Sequence, residues 1–130
     1  VYRVMGAIKR FEDIQAWQKA RGLTKEIYEI TTVNGFANDF GLKDQIRRAA
    51  ASIMLNIAEG FARKTDREFK QSLVQAHGST AEVQSALYVA LDQKYISQLQ
   101  FNHLYSLAEE ISRMIMKFSL YLSRGKSGEK

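Results

Sequence analysis

Apolar residues recur at every third or fourth position along almost the whole chain, and no stretch alternates with the period of two that a half-buried strand requires. The pattern predicts four helices. In the first, from about Asp13 to Thr32, the side chains of Ile14, Trp17, Ala20, Leu23, Ile27 and Ile30 share a face, with Asp13 as the expected N-cap and Asn34-Gly35 as the breaker beyond the end. A linker, residues 33–38, leads to the second, capped by Asn38 or Asp39 and running to about Ala62, with Leu42, Ile46, Ala49, Ile53, Ile57 and Phe61 aligned. Thr65 and Glu68 have the spacing of a capping box, in which hydroxyl and carboxylate satisfy orphan amides reciprocally. The third segment follows, with Phe69, Leu73, Ala76, Thr80, Val83, Leu87 and Leu91 on one face, and stops near Asp92. Ser97 and Gln100 form a second such box and open the fourth segment, which carries Phe101, Leu104, Ala108, Ile111, Ile115, Phe118 and Leu122 and is expected to end at Arg124-Gly125.

Segments of about 20 to 27 residues are about 30 to 40 Å long, and short connections force neighbours to run antiparallel. The expected fold class is all-α, an up-down-up-down four-helix bundle over residues 11–124. A tail of residues 1–10 precedes it and a basic, disordered tail of residues 125–130 follows. Val1 to Val4 precede Met5 and are given no structural weight.

One stretch interrupts the pattern. In S-I-M-L-N-I-A-E-G-F-A-R, Ser52 to Arg63, the polar Asn56 and Glu59 and the helix-weakening Gly60 sit beside the apolar face. Antiparallel pairing about the Lys64 turn sets position n opposite about position 129 − n, within a turn. The small residues Ala49-Ala50-Ala51-Ser52 then face Ala76-His77-Gly78-Ser79. Small residues let backbones approach closely, which would justify a mid-helix glycine despite its cost of about 1 kcal/mol against alanine. Ser52, Asn56, Glu59, Gly60, Gly78 and Ser79 are therefore expected to form a hydrogen-bonded polar seam that fixes register between helices or subunits. Glu59 can pair with Arg63 at i+4 or with Lys70 across the turn, and it has no second carboxylate or histidine beside it in sequence to make a catalytic centre.

Composition narrows the chemistry. The 130-residue chain has no cysteine, hence no disulfide, thiolate metal site or cysteine nucleophile, which agrees with a cytoplasmic location. No run approaches a membrane span, and Val1 to Ile8 is too short for a signal peptide. His77 and His103 are the only histidines, and neither follows the Glu-x-x-His spacing of di-iron bundles: Val74 and Gln100 stand three residues earlier. No phosphate loop, nucleophile elbow or zinc-protease motif occurs. The expectation is no metal, no cofactor and no enzyme. The formal net charge of +5 points instead to an anionic partner such as RNA, DNA or an acidic protein.

F-E-D-I-Q-A-W-Q-K-A at Phe11 to Ala20, G-L-K-D-Q-I-R-R-A-A-A-S-I-M-L-N-I-A-E-G at Gly41 to Gly60, and A-H-G-S-T-A-E-V at Ala76 to Val83 resemble the four-helix-bundle proteins encoded by intervening sequences in bacterial 23S ribosomal RNA genes. The resemblance covers about Phe11 to Leu122, and its most specific element is Ser52 to Gly60. It implies a cytoplasmic bacterial protein with a left-handed four-helix bundle, commonly a ring-shaped homopentamer, with no catalytic activity attached. Related bundles serve as accessory proteins of diversity-generating retroelements, where a basic pentamer engages nucleic acid and a reverse transcriptase. Asn56, Glu59 and Gly60 fall in the family's signature element and Gly78-Ser79 in its small-residue element. Where the family often has proline, within the signature and in the linker before the second helix, this chain has Met54 and Ala37.

An alternating bundle sets the start of the first helix, the turn between the second and third, and the end of the fourth at one pole. Lys9, Arg10, Arg63, Lys64, Arg67, Lys70, Lys117, Arg124, Lys126 and Lys130 collect there against six acidic residues, so +4 of the chain's +5 lies at one end. A broad positive surface binds phosphate backbones by counterion release with little sequence information. The first nine of these are the candidate nucleic-acid-binding residues. Three function classes follow, in order of preference: a non-enzymatic homo-oligomer that binds RNA or DNA, a scaffold that docks a partner enzyme such as a reverse transcriptase, and an enzyme.

Overall fold

The structure, a computed structural model, describes residues 8–128, with side chains as far as Arg124. Residues 1–7 of the expected N-terminal tail, residues 129–130 and the Lys126 side chain lie outside the described residues. Among the described residues the chain is all helix: a 3-10 turn at Phe11–Asp13, then α1 (Gln15–Ile30), α2 (Asn34–Asn38), α3 (Phe40–Ala62), α4 (Asp66–Asp92) and α5 (Gln98–Gly128). The four long helices are the four expected segments. Each packs on the two that flank it around a square, α1 on α3, α3 on α4, α4 on α5, and α5 back on α1. Contacts climb one helix as they descend its neighbour, as antiparallel packing demands: Lys19 pairs with Glu110 and Glu26 with His103 across α1 and α5, and Ser52 meets Ser79 across α3 and α4.

The apolar stripes make the core. Ile27, Ile46, Ile53, Ile57, Leu73, Leu87, Leu104, Ile111, Ile115 and Leu122 are fully buried, and among the described residues no buried side-chain polar atom lacks a partner. At roughly 25 cal/mol per Å² of apolar area removed from water, this burial supplies the main folding drive.

The boundaries differ from expectation in four places, each for a local reason. Asp13 does not cap α1. Its carboxylate turns back to accept from the amides of Lys9 and Arg10 at 3.0 and 3.1 Å, so α1 begins after Ile14 with no side-chain cap. Asn34 takes the left-handed conformation at φ 56°, as a breaker should, yet the linker after it coils into α2 and buries Phe36 completely. At the Thr65 start only half of the capping box forms: the Glu68 amide donates to the Thr65 hydroxyl at 3.1 Å, while the Glu68 carboxylate accepts that hydroxyl's proton rather than the Thr65 amide. The Ser97 box is complete in both directions. Finally, α5 continues through Gly125 to Gly128, so the tail expected to be disordered from 125 is helical to 128; a glycine weakens a helix without forbidding it.

The far pole closes on Tyr95. Lys94 adopts φ 62°, and the amide of Tyr95 returns to the Ala90 carbonyl at 2.9 Å, ending α4 in a Schellman turn without glycine. The Tyr95 ring lies against Phe36, with centroids 5.3 Å apart, and its hydroxyl donates to the Asp39 carboxylate at 3.0 Å. Asp39 also caps α3 by accepting from the Leu42 amide at 3.1 Å. The hydrogen bond to Asp39, with a smaller contribution from burial, raises the Tyr95 phenol above its usual value. A phenol raised in the folded state contributes stability that is present below its unfolded value of about 10 and is lost as pH climbs through the folded value. The stability difference between wild type and Tyr95→Phe, measured by urea denaturation, should therefore hold steady from neutral pH to about 9 and shrink above about 10. A difference that did not shrink above about pH 10 would show that the contact contributes nothing to folding.

Candidate nucleic-acid interface

The stretch Ser52–Arg63 splits into two parts with different jobs. The first is a packed seam. The Ser52 and Ser79 hydroxyls meet across the α3–α4 interface at 2.9 Å. The Asn56 amide donates to the Ser52 carbonyl at 2.8 Å and to its hydroxyl at 2.9 Å, and the Ser79 hydroxyl donates to the Gln75 carbonyl at 3.2 Å. Gly60 belongs to this close approach. A Cβ built on it would stand 2.7 Å from the Phe69 ring and 2.7 Å from Ser72 Cβ.

The second part lies outside the seam. Glu59 is 56% exposed and pairs with Arg63 at 3.0 Å. It stands on a ridge between two open surface grooves of about 530 and 640 Å³. Glu68 is the only other carboxylate on the first and Asp44 the only one on the second; neither groove holds a histidine, and among the described residues no His, Asp or Glu cluster could hold a metal ion. Gly78 also differs from the expected seam: it is exposed, with nothing within 4 Å of where a Cβ would stand. One polar link in this part of the bundle was missed in the sequence. Arg47 donates to the Thr31 hydroxyl at 2.8 Å and lies over the Tyr28 ring at 4.2 Å, tying α3 to α1. An arginine one position from Arg48 on a helix carries no sequence mark of that role.

The bundle brings three chain segments to one pole. Phe69 at the start of α4 packs on Phe118 near the end of α5, with centroids 5.3 Å apart. Ile8, Asp13 and Ile14 border one surface groove together with Lys117, Phe118 and Tyr121. Lys9, Arg10, Arg63, Lys64, Arg67, Lys117 and Arg124 are exposed there, and Lys70 is half-buried. Their charges are unequally available. Arg10 is bound to Glu12 at 3.1 Å, a hydrogen bond that raises the Arg10 value and lowers the Glu12 carboxyl. Arg63 is shared between Glu59 and Glu68. Lys9, Lys64, Arg67, Lys70, Lys117 and Arg124 make no ion pair among the described residues. Arg67 sits in the first turn of α4, where the helix dipole disfavours a cation by some tenths of a kcal/mol. Its position is thus not explained by folding stability. No described helix is long and apolar enough to cross a membrane.

Residues 12–117 match the model of a family described as "23S rRNA-intervening sequence protein". Among the curated proteins none matches the chain. Among solved structures it is similar to a protein of unknown function from the S23 ribosomal protein family of Bacteroides thetaiotaomicron, with a TM-score of 0.73 and 20% identity over 80% of this chain and 97% of that one. At that identity the likeness speaks for the fold alone.

Proposed function

Since the chain belongs to the 23S rRNA-intervening sequence protein family, we propose that it is a non-enzymatic, cytoplasmic, homo-oligomeric bundle that binds RNA or DNA through its basic pole without reading sequence. The observation that carries this reading is the set of six cations at the pole that make no ion pair among the described residues, at least one of them placed against a helix dipole. Cations held in salt bridges have little left for phosphate, whereas these keep their charge available for it. Exposed lysines and arginines exchange condensed counterions for contacts to the backbone, and that exchange depends on charge rather than base identity. Anisotropy titration of two unrelated duplexes and one single strand tests it. The expected result is binding within a few-fold of one another at low salt, weakening steeply as salt rises. A preference of a hundredfold for one sequence, or salt-independent binding, would contradict it. A tightly co-purifying protein partner with negligible nucleic-acid affinity would support the scaffold reading instead.

Self-assembly is supported by the outer face of α4. From Gln71 to Leu91 the helix carries one acid, Glu82, and no lysine or arginine. Gly78, Ala81, Ser85, Tyr88 and Val89 are exposed along it, with Tyr88 51% and Val89 43% accessible. Such a face, apolar and low in charge, is suited to a protein contact, and the family resemblance suggests a ring of five. A ring would gather several basic poles on one side. Gly78→Ala should raise the stability of the isolated chain by about 1 kcal/mol, because the new methyl enters a helix interior without a clash. Gly78→Arg should leave the helical circular dichroism intact and lower the sedimentation coefficient. A wild type that already sediments as a monomer would rule out the assembly.

A further inference from the structure

At the pole, a surface groove of about 380 Å³ runs between the start of α4 and the end of α5. Arg67, Lys70 and Gln71 border it from one helix and Ser119 and Ser123 from the other, with Leu122 and Val74 also on its wall. The two serines are one turn apart on α5 and both are half-buried, yet neither hydroxyl makes a hydrogen bond among the described residues. Arg67 and Lys70 likewise make no ion pair there. Asp66 also borders the groove and has an interaction partner, and the two cations outweigh its single charge.

Helix hydroxyls can bond to the carbonyl one turn back, as the half-buried Thr24 and the buried Thr31 and Ser79 do here. Two serines without a hydrogen bond among the described residues, facing two cations without an ion pair there, suit a tetrahedral dianion or monoanion with several acceptor oxygens. Guanidinium and ammonium neutralise it, and the hydroxyls donate to oxygens the cations do not reach. Valine and leucine on the wall give an apolar surface suited to the sugar carbon atoms next to a phosphate. We propose that this groove is a phosphate subsite, seating one backbone phosphate of the bound nucleic acid and fixing how the strand crosses the pole. The proposal rests on the nucleic-acid reading above for its ligand, but not for its geometry.

The test keeps charge and hydroxyl separate. Ser119→Ala/Ser123→Ala removes no charge and no core atom, and Arg67→Ala removes one cation. Each variant is checked by circular dichroism and thermal melting, then titrated with a short duplex across a salt series. In parallel, wild type and the serine variant are titrated with inorganic phosphate, following the amide resonances of 67–71 and 119–123. The serine pair should lose about tenfold in duplex affinity with the salt slope unchanged, because donors are lost but no counterion exchange is. Arg67→Ala should reduce the slope by about one. Duplex binding by the serine variant equal to wild type would overturn the subsite and leave the broader nucleic-acid reading standing. No duplex binding by wild type, but phosphate-induced shifts confined to these amides and lost in the variant, would retain the groove as an anion site and overturn the broader reading. No response to either probe would overturn both.

Discussion

Gly60→Val should destabilise the protein by about 3 kcal/mol, and Gly60→Ala by about 1 to 2 kcal/mol, in the range expected for forcing atoms into a packed interface. Alanine is worth about 1 kcal/mol more than glycine in a helix interior, so a loss requires a clash larger than that gain. The geometry supplies one. The new Cβ would stand 2.7 Å from both the Phe69 ring and Ser72 Cβ. The ring can tilt. Ser72 Cβ is fixed to the α4 backbone, so α3 and α4 must separate where Ile57 and Phe69 are buried. Valine adds two further methyls at the same point. The matched control is Gly78→Ala, an equally helical position with open space, where the same added atom should stabilise. Opposite signs at the two glycines, read from urea unfolding, are the expected outcome. Partial recovery on combining Gly60→Ala with Ser72→Gly would assign the loss to that contact. A Gly60→Ala protein as stable as wild type would mean that the helices do not approach this closely.

Replacing Arg63, Lys64, Arg67 and Lys70 together with glutamine should weaken nucleic-acid binding on the order of 10²- to 10³-fold near physiological salt, since each phosphate contact contributes close to one power of salt concentration. The fold should hardly change, because exposed charges away from special features alter stability by about 0.5 kcal/mol or less. Arg63 makes two exposed ion pairs, and such pairs contribute little. Removing Arg67 even relieves an unfavourable dipole contact at the start of α4. A variant that melts like wild type but no longer binds would separate the charge from the scaffold. Undiminished binding by this variant would move the interface away from the pole.

The bundle was legible because its information is local. Four apolar stripes at helical spacing name the core residues, and short turns leave antiparallel packing as the simple arrangement. Leu23, Ile46, Ile53, Val83, Ile111 and Leu122 are buried where their stripes set them. What was not legible depends on neighbours distant in sequence. Phe36 stands in a linker marked by a breaker, and only tertiary packing, on Tyr95 among others, makes it a core residue. Lys94 ends a helix in a conformation usually left to glycine. The seam shows the same limit more finely. Successive helix residues turn by about 100°, so a pairing register correct to two residues still misplaces a side chain around the helix. Ser79 reaches Ser52, while Gly78, one position earlier, points to open space. Glu59 lies three residues from Asn56, a turn of about 60° short of a full circle, and that is enough to carry it from the seam's edge to solvent. The polar interruption is thus packing at Ser52, Asn56 and Gly60 and surface at Glu59.

The pole was legible as a count of charges but not as a distribution of pairing. Sequence gives ten basic residues at one end. Only the structure separates Arg10 and Arg63, held by Glu12, Glu59 and Glu68, from the six that make no ion pair among the described residues.

The central claim is that the molecule meets nucleic acid at the pole and not in the grooves beside Asn56 and Glu59. An amide-resolved NMR titration of the wild-type protein with a short duplex reads this directly. Shifts concentrated at residues 9–10, 63–70 and 117–124, with the amides of 52–59 and 75–79 unmoved, are the result expected. Shifts concentrated at Ser52, Asn56, Glu59 and Gln75, with the pole silent, would contradict the account.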